Sequence, residues 1–513
     1  MAHPFNIFDH FSAAVKKNPD KAALIYKGNT ISFAAFERQI EESAYYFLDR
    51  GIKKGSRVLV FIPMSPDLYR IVLALFKIGA TAVFLDEWVS KKRMEACCEV
   101  VHPDAFIGTF KARVLSVYSS ALRRIPIRLG INYRSGMPRM QMEATSKEDT
   151  ALITFTTGST GIPKAAKRTH GFLEAQFNAL LGKISPVEDD DIDMPVLPIV
   201  LLLNLATGVT SVIAEFNAAK PATLAPEKII EQIRTYGVNR IIASPFFIKK
   251  ISRYIIEKNI ALPQIKKILT GGAPVFSAEA EIYLKAFPDT FIEVIYGSTE
   301  AEPISSLNIR QESSGNQKNF EKGLNAGRPD ECAEVSIIRI TDKNISVTSE
   351  ENFKNLELPF GQIGEITVSG NHVLTEYLNN EEALKRNKIF IGQKCRHRTG
   401  DSGYLNEDGF LFLTGRCSTL IYLDNKIIAP FVYENFFQTI KGVEAGTVLM
   451  LKNKLIAVAE LNASGNKKDV SEKINSAEII FDEIIFIKKI PRDPRHNSKI
   501  DYEKLVTAVS RKV

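Results

Sequence analysis

The sequence predicts an α/β protein: a large N-terminal domain of helix-covered, mainly parallel sheets, residues 1–415, followed by a small α+β domain, residues 416–513. Three observations predict this. Short β-rich runs alternate with amphipathic helical runs through the first two-thirds of the chain. At 513 residues the chain exceeds what one ordinary core accommodates. After about Arg416 the texture turns to short Lys-, Ile- and Val-rich strands with a helix or two.

The elements follow in order. "SRVLVFIP" (Ser56–Pro63) reads as a strand, "SPDLYRIVLALFKIGA" as a helix, and "TAVFLD" as the next strand. "PEKIIEQIRTYG" opens on Pro226, aligns Ile229, Ile230, Ile233 and Tyr236 on one face, and stops at Gly237. The strand "NRIIASP" follows at once. A further unit runs "KKILTGG", a helix from Ser277, then "TFIEVIYGSTE". Such strand–helix–strand repetition implies parallel pairing under covering helices. The polar stretches Arg310–Gly323 and Asp342–Asn355 read as surface loops.

Composition excludes several classes. Hydrophobic residues at 45% and charged residues at 24% are those of a globular protein. The net charge of +7 is small, with 66 basic residues dispersed among 59 acidic ones, so no nucleic-acid partner is expected; a mildly basic surface favours acidic ligands or an anionic membrane face. Five scattered cysteines make neither a disulfide framework nor a CxxC metal site, and the N-terminus has no apolar signal core. Both point to a reducing, cytoplasmic location. Met194–Ala214 carries no charge, but Pro195, Pro198, Asn204 and Gly208 weaken a spanning helix and suit a buried strand–turn–helix. No transmembrane segment is therefore expected.

The stretch "TFTTGSTGIPKAAKRTHG" leaves an apolar strand and spends its next turns on hydroxyls, glycines and a lysine. Gly158 and Gly161 let successive N–H groups converge on one oxyanion. Thr156, Thr157, Ser159 and Thr160 add hydroxyl donors, and Lys164 adds a point charge. This is phosphate-binding chemistry, although it is not the Walker spacing, and alone it also suits a ligand-free Ser/Thr/Gly loop.

Three more motifs follow it: "YGSTEAEP" (Tyr296–Pro303), "HRTGDSGYLNEDGFLFLTGR" (His397–Arg416) and "PRDPRHNSKIDYEKL" (Pro491–Leu505). In this order, and over nearly the whole chain, they resemble the adenylate-forming superfamily of acyl-CoA synthetases, peptide-synthetase adenylation domains and luciferases. "YGSTEAEP", "RHNSKI" and "GRCSTLI" look most like the fatty-acyl ligases and the β-lactone synthetases of bacterial olefin biosynthesis.

The resemblance implies ATP and Mg²⁺ as cofactors and a small-molecule carboxylic acid as substrate, activated through acyl-AMP with release of pyrophosphate. It implies that the Thr156–Lys164 loop serves the leaving phosphates, that Thr299 bonds the α-phosphate, and that Glu300 holds Mg²⁺, which wants hard oxygen. Tyr296 resembles the aromatic shelf for adenine, within "YGS" (Tyr296, Gly297, Ser298), with Gly271, Gly272, Ala273 and Pro274 forming the opposing turn. Asp401 corresponds to the acid that accepts from the ribose hydroxyls, and Arg416 assists it. Lys499 matches the lysine that reaches from the small domain to the substrate carboxylate. His170, at a family-like position, either faces the acyl site or packs structurally.

The acid and the second half-reaction are read from departures. "LPIVLLLNLATG" offers only Ile, Val and Leu with Asn204 where many relatives carry an aromatic–His pair, which favours a medium or long acyl chain. Ser418 takes the hinge position, and Tyr422 and Asn425 stand where CoA-forming relatives have Lys and Gly. The small domain is then expected to rotate less, or differently. Transfer to CoA or an acyl carrier is one outcome; closure of an adenylated 3-hydroxy acid to a β-lactone without CoA is the other. A non-catalytic nucleotide-binding protein is a third class, opposed by the retained Glu300, Asp401, Arg416 and Lys499.

Overall fold

The computed structural model describes residues 4–85, 90–156, 163–313, 323–424, 426–477, 479–493 and 499–511. Thr157, Gly158, Ser159, Thr160, Gly161 and Asn425 lie outside these.

Two large sheets dominate. One has nine strands among the described residues, with a parallel centre running through Phe291–Ser298, Lys267–Gly271, Arg240–Ala243, Ile192–Pro195, Thr210–Val212 and Ala22–Tyr26. The other has seven, with Thr150–Thr156, Thr81–Phe84, Arg57–Phe61 and Ala105–Gly108 parallel at its centre. Most of these central strands, Ala22–Tyr26 and Arg57–Phe61 among them, are near-continuous apolar runs, as expected of strands covered on both faces. The expected helices lie at Pro66–Lys77, Pro226–Thr235 and Ser277–Ala286. Ile229, Ile230 and Ile233 are buried, and Gly237 takes a positive φ of 65° just past the helix end.

Met194–Ala214 resolves as the strand Ile192–Pro195, the helix Pro198–Thr207, a left-handed Gly208 and the strand Thr210–Val212. Among the described residues no helix is long and apolar enough to cross a membrane.

A third sheet was not foreseen as a separate, antiparallel unit. Glu334–Ile338, Gly364–Ser369, Lys394–Leu405 and Leu411–Arg416 pair antiparallel. Its signal is the "NEDGF" turn: Asn406 Oδ1 accepts from Phe410 N at 2.7 Å and Gly409 sits at φ 77°, a hairpin connection that needs no crossover. Asp342–Asn355 also departs from a plain loop, since Glu350–Lys354 is helical and buries Phe353.

Beyond Arg416, the hairpin Val443–Leu451/Lys454–Leu461 and the parallel strand Glu483–Ile487 form a three-stranded sheet with their own apolar clusters. This segment meets the rest through Phe276 against Phe431 (5.6 Å, edge-on), Ser277 Oγ to Asn435 Oδ1 (2.8 Å), and Glu444 between Lys249 and Arg253.

Candidate active site

The carboxyl ends of the parallel strands open on a cavity of about 2270 Å³, the usual place for ligands in such sheets. Lys164, Gly271–Pro274, Tyr296–Glu300, Asp401, Arg416 and Lys499 all border it. Thr156 is paired in register with Lys164 at the mouth of their hairpin.

Each wall has a local cause. Phe291–Ser298 turns back on itself through Thr299 and Glu300, so that Ser298 pairs with Ala301 and both turn residues are presented at the sheet's end. Beside it, Gly271 is required by packing: a Cβ there would meet Ile295 O at 2.5 Å. Gly272 follows at φ 83° and swings the chain away. Asp401 lies opposite Arg416 in the antiparallel sheet.

Asp401 is the junction of the site. Tyr296 Oη donates to its Oδ2 at 2.8 Å, and Arg416 Nη1 donates to its Oδ1 at 2.6 Å and to Thr399 O at 3.3 Å. Burial, then the Asp401 carboxylate, push the Tyr296 phenol well above its usual range, so it stays protonated and donates. Asp401 raises Arg416 in turn.

Around Glu300 lies a group of residues that sequence reading missed. Tyr377 Oη donates to Glu300 Oε1 at 3.1 Å. Lys164 Nζ stands 5.5 Å and Lys388 Nζ 5.7 Å from the Tyr377 ring centre. Burial works to raise Glu300, while the Lys164 and Lys388 charges and the Tyr377 hydrogen bond work to lower it, and the carboxyl is held below its usual range. Burial also takes the His397 ring down to about 3, so it is neutral near pH 7 and the lysines supply the positive charge. Lys388 is itself brought down to about 8 by burial. Only "HRTGD" hints at this, and nothing local in that motif marks His397 as a neighbour of Glu300.

Lys499 N donates to Asp493 Oδ1 at 3.0 Å and Asp493 N to Lys499 O at 2.9 Å, which ties the lysine's backbone to the strand-like bridge Arg492–Ile500. Ser418 and Tyr422 also border the cavity, the latter 62% exposed.

Apolar side chains line the cavity as well, Met64, Leu180, Ile199, Leu203, Ile242 and Phe247 among them. Asn204 is not among the lining residues. Its Nδ2 donates to Asp193 Oδ2 (3.0 Å) and Ser211 Oγ (3.1 Å), so the one polar side chain of that helix's middle turns inward to a buried Asp193–Arg240 pair. His170 also packs structurally: its Nδ1 accepts from Ile7 N at 3.2 Å, and burial takes the ring down to about 4.

The chain is similar to known proteins over nearly its whole length. An olefin β-lactone synthetase of Stenotrophomonas maltophilia is 27% identical over 555 residues, spanning 99% of each chain. 4-Coumarate–CoA ligase 5 of Oryza sativa subsp. japonica is 22% identical, covering 95% of this chain and 92% of its own. The fold is shared with O-succinylbenzoate coenzyme A synthetase from Bacillus subtilis, solved with ATP and magnesium ion (TM-score 0.80, 20% identity, 98% of this chain and 100% of that one). With residues 11–378 matching the family model described as AMP-binding enzyme, more than half its length, the chain belongs to the AMP-binding enzymes.

Proposed function

We propose that this enzyme activates an apolar carboxylic acid with ATP, forming an acyl-adenylate and releasing pyrophosphate. One observation carries the reading: Lys164, Glu300, Asp401, Arg416 and Lys499 line the same cavity as a set of apolar side chains. The carboxylate attacks the α-phosphorus, and negative charge passes to the leaving pyrophosphate, so the site must offer cations and fixed donors there. Lys164 and the loop before it serve the leaving phosphates. Thr299 serves the α-phosphate, Tyr296 and Gly271–Pro274 enclose adenine, and Asp401 with Arg416 holds the ribose. Lys499 neutralises the pair of anions that must meet.

Glu300 suits Mg²⁺: a buried carboxylate kept ionised and facing the cavity is the hard donor that ion requires. Bound there, the ion would offset charge on the triphosphate. The chain divides, in this reading, at 415/416, the segment after it bringing Lys499 to the cavity.

Two fates of the acyl-adenylate are distinguished by chemistry. A CoA or carrier thiol attacks the acyl carbon and expels AMP, the reading that the name of the coumarate ligase supports. In a 3-hydroxy acid, the substrate's own hydroxyl attacks the same carbon, loses its proton and expels AMP, leaving a β-lactone. Likeness over 99% of the chain to an olefin β-lactone synthetase supports this second fate. Mass spectrometry separates them after incubation with ATP, Mg²⁺ and plain or 3-hydroxy fatty acids, with and without CoA. An acyl-CoA formed only with CoA supports transfer; a product one water lighter than the 3-hydroxy acid, formed without CoA, supports closure. No acid-dependent pyrophosphate in any mixture would overturn adenylation itself.

A further inference from the structure

The positive charge of this chain is not spread evenly over its surface. Residues 105–142 contain seven Lys and Arg and no Asp or Glu, which equals the formal net charge of +7 for the whole chain; the remainder is balanced. Lys111, Arg113, Arg123, Arg124 and Arg128 are exposed, as are the two arginines farther on. None of the seven forms an ion pair among the described residues.

The same segment exposes apolar side chains. Its helix Phe110–Val117 buries Ala112 and Ser116, and turns Phe110 (78% exposed), Val114 (45%) and Val117 (56%) to solvent, with Tyr118 (72%) just past its end. Positions i, i+4, i+7 and i+8 lie on one face. Amphipathic helices of globular proteins pack that face inward, whereas this one carries it outward between Lys111 and Arg113. An exposed apolar helix face flanked by cations matches a lipid interface, where rings enter the headgroup–acyl boundary and Lys/Arg meet anionic headgroups.

The segment also connects to the cavity. Ser119, just past the helix, donates through Oγ to Glu95 Oε1 at 3.1 Å. Glu95 belongs to the helix Lys91–Val101, whose Arg93 and Cys97 line the cavity.

We propose that the Phe110–Val117 helix seats this enzyme on an anionic lipid bilayer, next to the apolar acids that such a surface concentrates. The binding step needs neither ATP nor turnover, so it stands or falls separately from the adenylation reading.

The test is cosedimentation of the full chain with vesicles of phosphatidylcholine alone or mixed with phosphatidylglycerol. Binding is expected to the mixed vesicles, weakened by salt, and not to the neutral ones. The double variant Phe110→Ala/Tyr118→Ala should bind at least about tenfold more weakly. Lys111→Glu/Arg113→Glu should lose about fivefold or more per residue. Both variants should release pyrophosphate from a water-soluble acid at the unaltered rate, which shows that they fold. Failure to bind either vesicle, as for a segment serving a soluble acidic protein, would overturn the proposal. So would binding that the substitutions leave unchanged.

Discussion

Tyr296 and Asp401 are joined by a 2.8 Å hydrogen bond between two sheets that share no strand. The phenol comes from near the end of Phe291–Ser298, a strand of the mainly parallel sheet, and the carboxylate from the middle of an antiparallel strand. The bond therefore fixes the distance between the two walls proposed to hold adenine and ribose.

Tyr296→Phe keeps the ring and removes this donor. A hydrogen bond to a charged group is worth about 1.5–3 kcal/mol, so the apparent KM for ATP should rise about tenfold or more while kcat changes less. Steady-state pyrophosphate release against ATP concentration checks this. An unchanged KM would mean that Asp401 is held well enough by Arg416 alone.

Lys499→Ala should bind ATP as the unaltered protein does and lose acid-dependent pyrophosphate release by about 10²–10³-fold. Equilibrium ATP binding and single-turnover kinetics read the two halves separately. A variant that keeps its rate would remove Lys499 from the catalytic role.

Tyr377→Phe tests the surroundings of Glu300. The hydroxyl bonds Glu300 Oε1, and removing such a supporting partner commonly costs about 10–100-fold in metal affinity or activity. The Mg²⁺ concentration for half-maximal pyrophosphate release should rise by at least tenfold, an order-of-magnitude expectation on the same basis. An unmoved midpoint would detach Tyr377 and its hydrogen bond from metal binding.

These expectations differ in how far the sequence carried them. Lys499, Asp401 and Arg416 were legible because each sits in a continuous motif, and the structure brings them to one cavity. Tyr377 and Lys388 were not. Their meaning lies in pairings across long loops: Tyr377 opposite Ala166 beside Lys164, and Lys388 opposite His397. No local pattern records those registers. The parallel sheets were legible from alternating strand and helix periods, whereas the antiparallel sheet of Glu334–Arg416 was hidden by long polar connections between its strands. Asn204 illustrates a different limit. Composition shows a polar residue in an apolar helix, but only the fold shows it facing Asp193 rather than the cavity.

Glu434 gives the last prediction. It is buried in the C-terminal segment, where Tyr502 Oη and Thr447 Oγ1 donate to its carboxyl. Burial pushes it from 4.5 up to about 7, and the two hydrogen bonds only partly oppose that. A carboxyl whose folded value is raised contributes stability that is complete below about 4.5 and is lost as pH rises through about 7. The C-terminal segment should therefore lose about 1–3 kcal/mol between mildly acidic and mildly alkaline pH. Glu434→Gln cannot ionise and should flatten that part of the slope, so its Tm relative to the unaltered protein should be higher on the alkaline side than on the acid side. Thermal melts across pH on both proteins decide it: parallel Tm curves would show that Glu434 stays ionised throughout, held by Tyr502 and Thr447 against its burial.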